Sequence, residues 1–467
     1  MRRYPRPTLP TRPRLKKTSL AVLLATDLVH EIESLLGRQA IDGLDLEALE
    51  MAVRQQALQL AARAVEQRLN ADTSDHAGPR LPCRCGGEAR YAGRRWKRFQ
   101  SALGSLYLQR AYYHCGSCGG GFCPRDRSLG LENSSLSPAV TRMVGTVGAL
   151  VSFQEGSTLL QELAGVTVDA KQVERTAEDL GAEIAAAERQ DRQPAHAHLP
   201  LPGTLYLGID GTGIPLRAEE LEGRRGKQSD GSAKTREVKL CTVWSAESRD
   251  EHDTPVRDEG SVTYSAAIES AATPDTAAQR SEFSERVWRE ATRRRFAEVA
   301  RPVVLGDGAP WIWNVADELF PQARQIVDRF HAKEHLSNLA KTLYGPAHPH
   351  APAWAQRRHQ ELDTGRFGAL LAAVRRHAPT CEEARRTLHY FQTNRHRMRY
   401  PEFHAQGLCT STGVVEAGCK VAIGTRLKRA GMHWTLRGSN AIIALRCCKL
   451  SGRFQDFWER RSAPRTA

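Results

Sequence analysis

Three acidic residues stand where an acid makes poor structural sense. Leu205-Tyr-Leu-Gly-Ile-Asp210 alternates at the period of two of a strand, then ends on a carboxylate followed by Gly211 and Gly213. Val303-Val-Leu-Gly-Asp307-Gly repeats the idea, a second apolar strand delivering an Asp-Gly. The third acid, Glu416, follows Thr410-Ser-Thr-Gly-Val-Val, where Ser411 or Thr412 can cap a helix and set the Glu just past its first turn. Asp-Gly alone is a favourite turn pair. Taken together, the three acids have a chemistry. Carboxylates are hard oxygen ligands suited to Mg2+, and two ions about 3.5–4 Å apart clamp an in-line displacement at phosphorus. Without metal, clustered carboxylates repel and shift one another's pKa values. Asp210, Asp307 and Glu416 are therefore the candidate catalytic residues and Mg2+ ligands, with Mn2+ as an alternative ion. Asp210 is expected to bridge both ions, and Gly211 and Gly213 to leave room for a DNA backbone. Lys420, four residues after Glu416, shares its helical face and suits either a DNA phosphate or a salt bridge to Glu416.

The chain supplies elements to position these acids. After the opening strand and a hydrophilic loop at 219–236 come strands at 237–244 and 261–265, a helix at 282–300 and a strand at 302–306. A helix at 309–319, a strand at 323–328 and a helix from Ala332 follow. Gly226-Lys227 in the loop lacks the spacing of a phosphate-binding loop. Three successive strands and then strands alternating with helices are the order of a ribonuclease-H-like core, an antiparallel meander followed by parallel crossovers. Residues 346–405 are helical and very basic and look like an insertion. The α/β text resumes at Leu408, with a helix running through Arg426, Lys428 and Arg429.

The N-terminal third has a different character. Cys83-Arg-Cys85-Gly-Gly and Cys115-Gly-Ser-Cys118-Gly, about thirty residues apart, make a zinc-ribbon pattern, since each thiolate pair needs glycines in its tight turn. The first knuckle is the less usual Cys-x-Cys, and His114 or Cys123 could substitute for one ligand. Between the knuckles, Arg94, Arg95, Lys97 and Arg98 interleave with Trp96 and Phe99, which suits phosphate contact or a solvated strand face. Helices at 155–163 and 169–188, joined by a turn containing Gly165, have a helix-turn-helix outline, with Lys171 and Arg175 near the start of the second. Ahead of all this, apolar positions from Leu44 to Leu69 recur at helical spacing. The basic start, Arg2 to Lys17, imitates a signal peptide, but Asp27, Glu31 and Glu33 interrupt the apolar run, so a disordered basic arm is expected.

Four segments carry a resemblance. Asp210-Gly-Thr-Gly, Val304-Leu-Gly-Asp307-Gly-Ala-Pro-Trp-Ile-Trp-Asn, Asp328-Arg-Phe-His331-Ala-Lys-Glu-His, and Thr410-Ser-Thr-Gly-Val-Val-Glu416 with Arg426-Leu-Lys-Arg-Ala-Gly-Met-His-Trp434 resemble the bacterial insertion-sequence transposases of the ISKra type. The resemblance covers most of residues 200–460. It implies a DDE transposase with a helical insertion before the Glu, and a second step in which a freed 3′-OH attacks target DNA. It also implies that Asp328 and His331 form the family's (C/D)xxH motif, accessory to the site rather than metal ligands.

The expected fold class is α/β, a ribonuclease-H-like catalytic core with an α-helical insertion, preceded by a zinc ribbon and a helical DNA-binding region. The expected division is a basic arm (1–18), an N-terminal helical region (19–80), the zinc ribbon (81–130), the helix-turn-helix-like region (131–200), the core's first part (201–345), the insertion (346–405) and the core's second part (406–467). A net charge of +14 with Arg outnumbering Lys favours a polyanion as partner, though a GC-rich coding bias also enriches Arg. Eleven cysteines, one tight cluster plus singles, fit metal binding and reduced thiols in a cytoplasmic, nucleoid-associated protein, and no apolar run spans a membrane. The functional expectation is DNA cutting and joining at insertion-sequence ends, with two Mg2+ ions and a structural Zn2+, by at least a dimer on DNA. The candidate DNA contacts are Arg94, Arg95, Lys97, Arg98, Lys171, Arg175, Lys420, Arg426, Lys428 and Arg429. A nuclease on the same core and a zinc-dependent DNA-binding regulator without catalysis are the alternatives.

Overall fold

The computed structural model describes residues 30, 45–191, 200–226, 228–229, 231–272 and 279–462. The basic arm and most of the first helical stretch before Asp45 lie outside the described residues, as does most of the linker around 194–203. The chain forms two compact units. The first holds residues up to 143 together with 157–169, and the second holds 144–156 and everything from 170 onward. No described helix is long and apolar enough to cross a membrane.

The first unit begins with α1 (Leu46–Ala71), whose N-cap Asp45 accepts from the Ala48 N–H at 3.3 Å. A four-stranded antiparallel sheet follows: β1 (Arg80–Pro82), β2 (Glu88–Ser101), β3 (Gly104–Cys115) and β4 (Gly121–Phe122), in that spatial order. Its long hairpin, β2–β3, is bulged between Tyr91 and Arg94. Along its distal half the outer edge of β3 has no strand partner among the described residues, and α1 caps it. Tyr107 N–H donates to Glu66, Gln109 N–H donates to Asn70 at 2.7 Å, and the Asn70 amide returns a bond to Tyr107 O. One sheet face buries Phe99, Leu106 and Leu108 against Leu131, with Ala62, Leu69 and Leu129 packed around them. Short α2 (Pro124–Ser128) brings Asp126 to Arg110 and Lys97. From here α3 (Pro138–Leu150) and α4 (Phe153–Ala164) lead to α5 (Ala170–Gln190).

The second unit is a mixed α/β structure around one five-stranded sheet. Its strands are β5 (Thr204–Pro215), β6 (Thr235–Ser245), β7 (Thr263–Ala267), β8 (Arg301–Gly306) and β9 (Arg324–Val327), in the spatial order β9-β8-β5-β6-β7. The first three form an antiparallel meander, and β8 pairs in parallel with both β5 and β9. The crossover helices are α6 (Glu282–Arg293) and α7 (Pro310–Leu319). Because β5 is central, both faces of its first half are buried, so the alternation seen in the sequence does not separate core from solvent. Tyr206 and Trp244, fully buried on neighbouring strands, stack at 5.5 Å, a pair worth about 0.5–1.5 kcal/mol beyond burial.

After β9, α8 (Arg329–Tyr344) opens the helical stretch, followed by α9 (His350–Asp363), α10 (Phe367–Arg375), α11 (Glu382–Asn394) and α12 (Tyr400–Ala405). Asp363 of α9 ties this stretch to α8 through Arg329 at 2.7 Å and Lys333 at 2.6 Å. The chain then returns to the sheet through α13 (Gly413–Gly418), which passes without a break into a π-helix (Cys419–Gly424). Last come α14 (Leu436–Leu450), packed on α5, and α15 (Phe454–Ser462). At Gly181 of α5 an added Cβ would lie 2.0 Å from the Ala441 carbonyl, so only glycine allows the two helices to approach so closely.

Candidate functional site

β8 pairs with β5 up to Leu305 opposite Gly208, so Asp307 lies two residues past the last parallel pair and Asp210 two residues past Gly208, and the Asp307 charge acts on Asp210. Neighbouring strands lie about 4.8 Å apart. Asp210 is not at a strand end, as the sequence suggested. It lies mid-strand opposite Leu240, because β5 runs on to Pro215 in a hairpin with β6. The parallel partner stops where the acid begins, which opens that edge of β5.

Gly211 and Gly213 face side chains of the neighbouring strand. A Cβ on Gly211 would meet the Glu237 side chain at 2.5 Å, and one on Gly213 would meet Thr235 at 2.8 Å, so the room they leave is filled by their own hairpin partner. The glycine that matters for the site is Gly208. A Cβ there would lie 2.0 Å from Cγ2 of Val415, the residue before Glu416, and 2.9 Å from Trp244. On the helix, Gly418 makes the matching approach to β6, where a Cβ would come within 3.0 Å of Leu240 and 3.1 Å of Tyr264. Two glycines thus let α13 dock flat on the sheet and bring Glu416, which is exposed, to the strand that carries Asp210.

The polar partners of each acid are defined. Asp210 accepts from the Gly211 N–H at 2.6 Å and from the Cys419 thiol at 3.3 Å. Burial pushes its carboxyl above the ordinary range and the Asp307 charge adds to this, while the Gly211 N–H, Cys419 and His331 oppose it. The same surroundings drive the Cys419 thiol up, first through burial and then through Asp210. Asp307 accepts from the Ala309 N–H at 2.8 Å. Its backbone carbonyl accepts from the hydroxyl of Tyr390, on α11, at 2.8 Å, and the Tyr390 ring covers Gly308. No residue of the 346–405 stretch was expected at the site, and Tyr390 is there.

Asp328 and His331 form a clamp. Asp328 caps α8 by accepting from the His331 N–H at 2.7 Å, and its other oxygen takes both the backbone N–H and, at 2.7 Å, the hydroxyl of Thr412. Thr412 therefore does not cap α13 with its side chain. Ser411 accepts instead from the Gly413 N–H at 3.1 Å. One buried carboxylate thus fastens the start of the Glu416 helix to the end of β9 across 84 residues. Burial alone would raise its pKa, but the bonds from His331 and Thr412 outweigh this and hold it below the usual range. The His331 imidazole, 3.4 Å from Asp328, is raised to about 9, chiefly by Asp328 against the opposing effect of burial, with Asp307 and Asp210 contributing. That shift favours the imidazolium, a cation in an acidic neighbourhood.

Residues 39–461 match the family described as Uncharacterised protein family (UPF0236). The chain belongs to this family. No curated protein matches this UPF0236 chain. Among solved structures it is similar to the Drosophila P element transposase strand transfer complex, at 10% identity and a TM-score of 0.24, over 72% of this chain and 84% of that one. A likeness that slight carries no argument.

The remaining expected residues of the UPF0236 chain divide by burial. Arg426 is fully buried, not a surface cation. It donates to the Gly148 carbonyl at 3.1 Å, its guanidinium lies over Phe153 and Trp434, and burial pulls it down to about 10. Lys428 donates to the Thr212 hydroxyl, two residues beyond Asp210. Arg429 pairs with Glu155, whose carboxyl that bond lowers to about 2. Lys420 is exposed on the π-helix, and among the described residues it makes no ion pair with Glu416. Arg94 is held by Asp75 at 3.0 Å and Lys97 by Asp126 at 3.4 Å, both largely buried, while Arg95 lies 3.4 Å over the Tyr112 ring and Arg98 is exposed. Lys171 pairs with Glu174 at 2.8 Å. Arg175 is exposed on α5.

In the first unit, Cys83, Cys85, Cys115 and Cys118 bring all four sulfurs within 4.8 Å of one another, a group that could hold a metal such as zinc. Cys83 and Cys118 are 3.8 Å apart and Cys85 and Cys115 3.6 Å. With Zn–S bonds of about 2.3 Å, a tetrahedral site has edges of roughly 3.8 Å. Both cysteines of the Cys-x-Cys knuckle are in the group, and neither His114 nor Cys123 is. Gly86 and Gly119 take positive φ in the two turns, as those knuckles require. Among the described residues this is the one group of three or more ligating side chains drawn so close, and Asp210, Asp307 and Glu416 are not gathered as tightly.

Proposed function

We propose that this chain is a DDE transposase of the ISKra type, acting on DNA ends through Asp210, Asp307 and Glu416 on a ribonuclease-H-like core. The observation that supports the reading is that Asp210 and Asp307 follow directly on the paired stretch of two parallel neighbouring strands and interact through their charges, with the residue before Glu416 packed against Gly208 of the same strand as Asp210. The β9-β8-β5-β6-β7 order, a meander followed by parallel crossovers, supports the core, and residues 346–405 are its helical insertion. The donor set also fits Mg2+. All three ligands are carboxylate oxygens, and Asp210 is raised by burial and by Asp307, a combination that a bound cation relieves. Bound there, Mg2+ supplies Lewis-acid polarisation of a phosphoryl oxygen.

The chain's own groups do the positioning. The Gly211 N–H and the Cys419 thiol orient Asp210. The Ala309 N–H and the Tyr390 hydroxyl hold the Asp307 turn. Asp328 holds Thr412, and so the helix of Glu416. The His331 imidazolium offers a charged donor to a phosphate oxygen that enters the site. The cysteine four holds structural zinc in this reading, and pairing of two DNA ends calls for at least two protomers. Joining of paired end sequences in Mg2+ or Mn2+ tests it. Asp210→Ala should abolish cutting and joining alike, and unchanged joining by this variant would overturn the assignment. Cutting without joining by the unaltered chain would leave a nuclease on the same core.

A further inference from the structure

One face of the β2–β3 ribbon is open, and it carries more aromatic surface than charge. Register sets Trp96 opposite Gln109 and Arg98 opposite Tyr107, so these four, with Gln100 and Ser105, share the face opposite the Phe99–Leu108 core. Trp96 is 53% and Tyr107 48% exposed. They are diagonal neighbours across the hairpin, a relation that puts residues about 7–8 Å apart, and among the described residues neither ring meets another. The local acids are engaged elsewhere: Asp75 holds Arg94, and Glu66 accepts from the Tyr107 backbone at the strand edge. Arg98 remains exposed on this face, donating only to the Ser105 hydroxyl at 3.1 Å.

Duplex DNA is a poor occupant for such a face. Gripping a duplex needs several cations for its phosphates, and two of the four basic residues of this stretch, Arg94 and Lys97, are held in internal ion pairs. The rings cannot reach base faces that are already stacked. Unpaired bases offer free π-faces, and each ring can take one whatever its identity. We propose that this face of the ribbon is a stacking platform for unpaired nucleotides of single-stranded DNA. Trp96 and Tyr107 stack on bases and Arg98 meets the backbone phosphate. The inference rests on the reading of DNA as the partner and adds to it that unpaired stretches, not duplex, are what the ribbon holds.

The test is equilibrium binding of the full chain to three labelled probes: oligothymidylate, a blunt duplex, and the same duplex with a single-stranded tail. Trp96→Ala and Tyr107→Ala should each weaken the oligothymidylate and tailed probes about 5- to 150-fold, the range of one lost base stack. Blunt-duplex binding should stay unchanged, and Trp96→Phe should keep most of the affinity. Equal loss on all three probes, or no loss on any, overturns the proposal, as does a variant that splits a dimer in sedimentation while its DNA affinity stays the same. Tighter binding of oligouridylate than of oligothymidylate does so too. The titrations need no catalysis, so failure of the Asp210→Ala assay and failure here are separate results.

Discussion

Gly208→Ala is the most economical test of the geometry around Glu416. The added methyl would lie 2.0 Å from Val415 Cγ2 and 2.9 Å from Trp244. Carbon atoms rest about 3.5–4.0 Å apart, so roughly 1.5–2 Å must open. Trp244 is fully buried and stacked on Tyr206, and it cannot yield. The helix α13 must lift instead, and Glu416 is the next residue after Val415. Overpacking of this kind costs about 1–3 kcal/mol of stability. A displacement of about 1 Å in a catalytic group costs on the order of 100-fold in rate. We expect Gly208→Ala to lower Mg2+-dependent DNA cleavage at least that far, measured by single-turnover kinetics, with a modest loss in denaturant midpoint. Val415→Ala removes the clashing Cγ2. Alone it should cost roughly 1–3 kcal/mol in stability, and combined with Gly208→Ala it should restore most of the rate. Full activity in Gly208→Ala, or a folded double variant that stays inactive, would refute the reasoning.

Two further outcomes follow from the clamp and the cysteines. Asp328, whose pKa is depressed, contributes stability that is present above its unfolded value of about 3.9 and lost as pH falls through its folded value. His331 contributes stability that is full below about 6.5 and lost as pH rises through about 9. Asp328→Asn should therefore cost roughly 1–3 kcal/mol at neutral pH, vanish as a difference in strong acid, and return the His331 titration, followed by NMR, toward 6.5. A His331 pKa unmoved in that variant would show that the pair is not formed. Metal analysis of the purified chain should find zinc, and Cys85→Ser should lose it along with the order of the ribbon. A variant that keeps its zinc would exclude Cys85 as a ligand.

Strands and helices of the second unit lie close to where the sequence predicts them, because period-two apolar runs bounded by Gly and Asp, and capped helices, are local signals. Each cysteine knuckle is local as well, with its turn glycines beside it, but that the two meet, without His114 or Cys123, is decided by the β2–β3 hairpin. Arg426 shows the opposite case. A basic residue in a basic stretch looks like surface, and only the approach of Phe153, Trp434 and the Gly148 carbonyl makes it core. Arg94 and Lys97 were read as phosphate contacts, and Asp75 and Asp126, which hold them, are 19 and 29 residues away in sequence.

By itself the sequence determined which residue types are present to act: two Asp-Gly strands, a late Glu on a capped helix, an Asp-x-x-His and four cysteines in glycine turns. Tertiary structure decided how they are brought together. Asp210 lies mid-strand because β6 extends its pairing, and the parallel pairing of β8 with β5 ends two residues before Asp307, whose charge acts on Asp210. The helix that carries Glu416 packs on the sheet because Gly208 and Gly418 remove the atoms that would hold α13 off it. Tyr390, Cys419 and the second bond of Asp328 come from 83, 209 and 84 residues away along the chain. A side chain's type and its local spacing are written in the sequence. Which distant backbone it will meet depends on packing across the whole sheet, and no window of the sequence contains that.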